Sequence, residues 1–204
     1  MGQITKGIRS ILSSPMIYNT CQSMMGASKG RENFVKEFIR PRYGDRVIDL
    51  GCGTAEIIDF LPSVRYYGFD ISPDYIRYAQ TKFGERAHFE PMIITEHDAP
   101  SLPKFDIALV MGVLHHLDDE AVIALLRAAF AVLKIGGRLL TIDPCYVTDQ
   151  NVLARLLINL DRGKNVRYPT EYSLKAQAIF PKVLAVVRHQ AWIPYTHCIM
   201  ECTK

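Results

Sequence analysis

No apolar run in this chain of 204 residues exceeds the eight of Ile107 to Leu114, far short of the ~18 that a membrane-spanning helix needs. Cysteine is scarce and unpatterned. The five residues, at 21, 52, 145, 198 and 202, form no C-x-x-C pair, which excludes a zinc ribbon or a redox dithiol and makes reduced thiols in a cytoplasmic setting the expectation. Excess charge is small as well. With 24 Lys and Arg against 21 Asp and Glu, the net +3 does not mark a nucleic-acid binder. Lys6 and Arg9 imitate the start of an export signal, but Ser13, Ser14 and Pro15 interrupt it before an apolar core develops. His88, His97, His115 and His116 show no ligand spacing, so no metal is expected. Repeats, low-complexity tracts and a second-domain linker are also absent. One domain is expected, and 49% apolar residues suffice for its core.

What is present from residue 44 onward is an alternation of short β-rich runs with helical patterns, the signature of a mostly parallel sheet. Strands are predicted at Arg46 to Leu50, Tyr66 to Asp70, His88 to Ile94, Phe105 to Met111 and Gly137 to Ile142. Helices are predicted near Arg31 to Ile39, over Pro73 to Phe83 with Ile76, Ala79 and Phe83 on one face, and from Asp118 with Val122, Leu125, Leu126, Ala129 and Val132, stopped by Gly136-Gly137. A further helix, about Gln150 to Leu160, precedes a closing hairpin of Val183 to Val187 and Cys198 to Cys202. The expected fold is α/β and doubly wound, with seven strands, mostly parallel, and an antiparallel strand at the carboxyl end. Residues 1–40 are read as a lid and first helix, 44–145 as the cofactor-binding core, 146–180 as substrate-side helices and loop, and 181–204 as the hairpin.

The strongest signal is Val47-Ile48-Asp49-Leu50-Gly51-Cys52-Gly53-Thr54-Ala55, a strand that runs into a glycine turn and a helical segment. Glycine at 51 and 53 permits unusual backbone angles and lets a ligand approach the main chain. The following helix would offer its positive end to a carboxylate. Asp70 ends the second strand, nineteen residues after Gly51, where doubly wound folds bind a ribose. Its alternative role is to cap the helix near Pro73. The dinucleotide pattern needs a small residue at position 56, where this chain has Glu, and a carboxylate there would repel a pyrophosphate. The pattern favours a nucleoside ligand without phosphates.

On these residues the chain resembles the class I S-adenosylmethionine-dependent methyltransferases, whose first motif is an acid followed by x-G-x-G-x-G. Asp49, Gly51 and Gly53 match, and Ala55 replaces the last glycine. The resemblance reaches about residue 142. It implies that Asp70 and the adjoining Ile71 bind the ribose, that Asp98 and Ala99 lie near the adenine, and that Cys52, Met111 and Gly112 line the donor. The segment Gly112-Val113-Leu114-His115-His116-Leu117 looks like that of the small-molecule branch that includes quinone-biosynthesis enzymes. Tyr18, Gln22, Gly26 and Arg31 would fold over the methionine end of the cofactor, S-adenosylmethionine, or pack on the sheet without touching it.

Methyl transfer from a sulfonium needs alignment above all, and a base is optional. If one is used, His115 or His116 is the natural choice, with Tyr146 also at the ligand edge. The alternative is that both histidines simply pack over the cofactor or cap the turn. The Asn/Asp-Pro-Pro-aromatic run of nucleobase amino methylation is missing, and Met111 stands where a metal-dependent catechol enzyme would place a carboxylate. Arg162, Asn165 and Arg167, with Lys164, form a polar loop that either binds an anionic acceptor or is simply solvated. The expectation is metal-independent methyl transfer to a small molecule, anionic if the polar loop binds it. Alternatives are a non-catalytic protein that binds the same donor and, disfavoured, an NAD-dependent oxidoreductase.

Overall fold

The computed structural model describes residues 27–159, 163–190 and 195–204. Strands β1 (Arg46–Leu50), β2 (Arg65–Phe69), β3 (Ala87–Glu90), β4 (Phe105–Met111), β5 (Leu133–Pro144), β6 (Lys182–Gln190) and β7 (Tyr195–Thr203) form one sheet in the order β3-β2-β1-β4-β5-β7-β6. The first five pair in parallel, and β7 inserts antiparallel between β5 and β6. The doubly wound expectation and its antiparallel closing strand are met. Because β1 has β2 on one side and β4 on the other, the chain leaves it in both directions, and a crevice opens at the carboxyl ends of β1 and β4.

Both faces of the central strands are covered, which is why β4 reads as a near-continuous apolar run. Side chains alternate between two cores. Ile48, Ala108, Val110 and Leu139 pack with Val122, Leu126, Ala129, Tyr172 and Phe180 from α3 (Asp119–Val132), α5 (Pro169–Gln177) and the turn after it. Val47, Ile107, Leu109 and Leu140 pack on the other side with Phe34, Ile39, Ile57, Ile76, Ala79 and Phe83. These last come from α1 (Ala27–Phe34) and its π-helical continuation Val35–Ile39, a 3₁₀ turn Glu56–Phe60, and α2 (Pro73–Phe83). Each fully buried Leu or Ile contributes about 1.5–3 kcal/mol.

Local chemistry sets the helix starts. Ser72 Oγ accepts the Tyr75 N–H and Pro73 occupies the first turn of α2, while Asp118 Oδ1 accepts the Ala121 N–H at 3.0 Å to begin α3. Several predicted boundaries shift. Helix α3 stops at Val132, because Leu133 is already extended, and Gly136-Gly137 lies inside β5 and not at a helix end. Gly137 is needed there for close approach, since a Cβ would stand 2.9 Å from the Lys134 carbonyl oxygen and 3.1 Å from that of Phe105. Strand β3 ends at Glu90 and not Ile94, because Pro91 cannot donate to a ladder. The hairpin strands are longer than expected, and α4 (Val152–Asn159) precedes the unpredicted helix α5.

Candidate active site

Gly51 takes φ 87°, and a Cβ on it would meet Val113 Cγ2 at 2.6 Å, so both its backbone and its bareness are required. Its N–H and that of Cys52 both donate to the Phe69 carbonyl, at 2.7 and 3.0 Å, tying the turn to the end of β2. Gly53 has φ 54°, and among the described residues a Cβ there would touch nothing within 4 Å, so they leave the turn open at this point. Ala55 is also left-handed, at φ 56° and ψ 29°. The glycine of the family pattern at this position therefore answers a backbone demand, which alanine meets at a cost of about 1–2 kcal/mol.

The helical segment expected after the turn is only the five-residue 3₁₀ turn, ended by extended Leu61 and then Pro62. It supplies no long helix whose positive end could anchor a carboxylate, which corrects that expectation. Glu56 is also different from its predicted part. Its Oε2 accepts from Lys82 Nζ at 2.6 Å, so its charge is matched on the α2 side and the repulsion argument against a pyrophosphate loses force.

Asp70 is the acid that closes the turn. Its Oδ2 accepts the Gly53 N–H at 2.9 Å and its Oδ1 the Ser72 N–H at 2.8 Å. Burial raises its pKa, and the two amides oppose that rise. The capping and binding roles weighed for Asp70 are therefore not exclusive, since it braces the turn and the start of α2 together. Ile71 beside it is 55% exposed. Asp98 lies in the turn Glu96–Asp98 packed on α3, where its Oδ2 accepts from Thr95 N–H and Oγ1, and these bonds lower its pKa. Ala99 is buried beside it. Asp49 and Cys52 are buried too, and burial pushes the Cys52 thiol up.

Met111 and Gly112, half-buried, end β4. The chain then makes a 3₁₀ turn, Leu114–His116. His115 is 5% exposed, with Nδ1 2.8 Å from Asp143 Oδ1, and its backbone N–H donates to the same oxygen at 3.2 Å. Its Cε1 lies 3.9 Å from where a Cβ on Gly112 would stand, so the ring borders the glycine at the end of β4. His116 lies against it, with ring centroids 4.0 Å apart and the planes tilted by 39°. Burial raises the pKa of Asp143 and the His115 contact opposes it. Tyr146 sits at the same edge, but its hydroxyl donates to Asn159 Oδ1 at 2.8 Å.

Arg167 does not stand as a free cation for an acceptor. It is 7% exposed and its five N–H groups are all engaged. Nη1 donates to the Leu114 and Asn165 carbonyls, Nη2 to the Leu117 carbonyl and Asp119 Oδ1, and Nε to Asp119 Oδ1, at 2.8–3.1 Å. The expected acceptor-binding role is corrected accordingly. Asn165 is half-buried and its N–H donates to the His115 carbonyl at 3.0 Å, while Lys164 is exposed. Arg31, also half-buried, lies in α1. Tyr18, Gln22, Gly26 and Arg162 lie outside the described residues. Asp143 and Tyr66 were missed from sequence. The signal for Asp143 was a carboxylate at the end of a core strand. Among the described residues no group of three or more His, Cys, Asp or Glu is placed to hold a metal ion.

Comparison with known proteins agrees with the fold. A curated protein of Synechococcus without an assigned function is 36% identical over 84 residues, 36% of this chain and 20% of its own. A 27-O-demethylrifamycin SV methyltransferase of Amycolatopsis mediterranei is 32% identical over 111 residues, 48% of this chain and 38% of its own. The chain thus spans well under half the length of these curated relatives. Among solved structures, the S-adenosylmethionine-dependent methyltransferase SibL superposes with TM-score 0.73 at 20% identity, over 97% of this chain and 59% of that one. A TehB-like methyltransferase of Corynebacterium glutamicum gives 0.64 at 16%, over 94% of this chain and 99% of that one. Residues 48–139, from the first strand to the middle of the fifth, match the family model described as a methyltransferase domain, and the fold is that of class I methyltransferase structures.

Proposed function

We propose that this protein transfers the methyl group of S-adenosylmethionine to a small molecule without a metal. The observation that carries the reading is the joint geometry of Asp70 and the glycine turn, a half-buried carboxylate bonded to the Gly53 N–H beside a backbone that the described residues leave uncovered. A nucleoside fits that arrangement, because Asp70 retains lone pairs for sugar hydroxyls and the bare turn admits the ligand. Gly51, Gly53 and Asp70 would hold the sugar and sulfur region, with Asp98 and Ala99 at the adenine end. When bound, the donor supplies a methyl group on a sulfonium, ready for in-line displacement.

His115 is the residue on the acceptor side best placed to take up a proton. A buried carboxylate can only accept from Nδ1–H, which puts the basic lone pair of the ring on Nε2. His116 lies against it, and Tyr146 borders the same edge. The Amycolatopsis relative, named for methylating 27-O-demethylrifamycin SV, supports a small-molecule acceptor. Since Arg167 is committed within the fold, an anionic group on that acceptor has no support from it.

Titration calorimetry with S-adenosylhomocysteine tests the reading. Saturable binding, weakened in Asp70→Ala, is expected. No heat at millimolar ligand overturns it.

A further inference from the structure

Segment 163–167 lies against the turn that carries the two histidines. A Cβ on Gly163 would stand 2.0 Å from His115 Cδ2, and the Asn165 N–H donates to the His115 carbonyl. What fastens this layer is Arg167. Its guanidinium spans the turn, donating to the carbonyls of Leu114 and Leu117, which flank His115 and His116, and to that of Asn165 in its own segment. Asp119 Oδ1 receives the remaining two donors, and Asp119 Oδ2 pairs with Lys175 at 2.7 Å. Arg167 backbone also forms a parallel bridge with Cys145, two residues beyond Asp143. One residue therefore joins both parts of the His115–Asp143 contact, the turn after β4 through its side chain and the end of β5 through its backbone.

The Leu117 carbonyl, past the end of the 3₁₀ turn, has no partner within it, and leaving such a group unpaired costs about 1–3 kcal/mol, while the Leu114 carbonyl accepts from Arg167 in addition to the Leu117 N–H at 3.2 Å. The planar five-donor fork of Arg satisfies several at once, which a three-donor ammonium on a flexible stem does not. Loss of the fork would release the turn, and His115 would leave the line on which both its backbone N–H and Nδ1 reach one oxygen of Asp143.

We propose that Arg167 is a positioning residue of the acceptor side, which fixes the ring orientation and tautomer of His115 from the segment that covers it. The role of His115 rests on the methyl-transfer reading above, whereas the coupling of Arg167 to His115 does not.

Nuclear magnetic resonance of the full chain with isotope-labelled histidine decides the matter without any ligand. The wild type is expected to show a downfield, slowly exchanging Nδ1–H resonance from His115, assigned by its loss in His115→Gln and in Asp143→Asn. Arg167→Lys is expected to lose that resonance and to mix the two tautomers, while thermal unfolding remains cooperative and affinity for S-adenosylhomocysteine is unchanged. Should Arg167→Lys not fold, Asp119→Asn, altered at the exposed end of the network, is expected to shift and broaden the same resonance. A resonance and tautomer identical to wild type in whichever variant folds overturns the proposal, as does loss of donor affinity alongside the resonance, because the effect would then not be confined to the acceptor side. Failure of the wild type to bind S-adenosylhomocysteine would sink the methyl-transfer reading alone.

Discussion

The Tyr66 hydroxyl donates to Asp49 Oδ2 at 2.5 Å, joining adjacent strands β1 and β2 through two buried side chains. Asp49 Oδ1 has no partner among the described residues. Burial raises the pKa of this carboxyl from 3.8 to about 7, opposed by the Tyr66 bond and assisted by the charge of Asp70. In the window between those two values the folded protein keeps a proton that the unfolded chain has released. Stability should therefore fall as pH rises through it. Urea unfolding across that window should show the slope in the wild type and its loss in Asp49→Asn. A wild-type stability that rises with pH as steeply as in the variant would contradict the assignment to Asp49.

Gly51→Ala is expected to cost more than the ~1–2 kcal/mol of a left-handed residue, because the new methyl also meets Val113 Cγ2 at 2.6 Å. Pairing it with Val113→Ala should return the steric share and leave the backbone share. Chemical denaturation of the two single variants and the double variant measures both, and strict additivity would show that the contact is not felt.

Asp70→Ala should weaken S-adenosylhomocysteine binding by about 1–3 kcal/mol and lower stability too, because the Gly53 and Ser72 N–H groups lose their acceptor. Asp70→Asn separates these effects. Its single carbonyl oxygen accepts one of the two amides, so stability is partly restored while the charged contact to the sugar is not. Calorimetry and thermal unfolding on both variants should show the affinities close together and the melting temperatures apart.

Ala55→Gly removes left-handed strain of about 1–2 kcal/mol but also a buried methyl worth about 0.8, and it frees the unfolded chain by about 0.4–1. These offset, and a net change within about 1 kcal/mol of zero is expected. Ala55→Val, β-branched at φ 56°, should be far more costly. A Val variant as stable as wild type would mean that the turn adopts another backbone in solution.

Features governed by neighbours in the chain were readable from sequence. Gly51, Gly53 and Asp70 follow a strand-turn-strand pattern in which local backbone demands decide residue type, and the apolar runs of β1 and β4 announce a sheet covered on both faces. Long-range contacts decided the rest. Arg167 looked like a solvated or ligand-binding cation because its partners, Leu114, Leu117 and Asp119, lie 48 to 53 residues away. Glu56 was read as bare charge for the same reason, since Lys82 is 26 residues on. Gly136-Gly137 imitated a helix stop, whereas tertiary pairing of Leu133 with Phe105 had already drawn the chain into a strand.

The shared acceptor at Phe69 has a kinetic corollary. With two successive amides of the glycine turn anchored on one carbonyl, and the next residue, Asp70, gripping Gly53, the loop and the acid are tied together before any guest arrives. Little ordering then remains to be done on encounter, so docking of an adenosyl compound should proceed as one concentration-dependent phase, with no slow rearrangement following it.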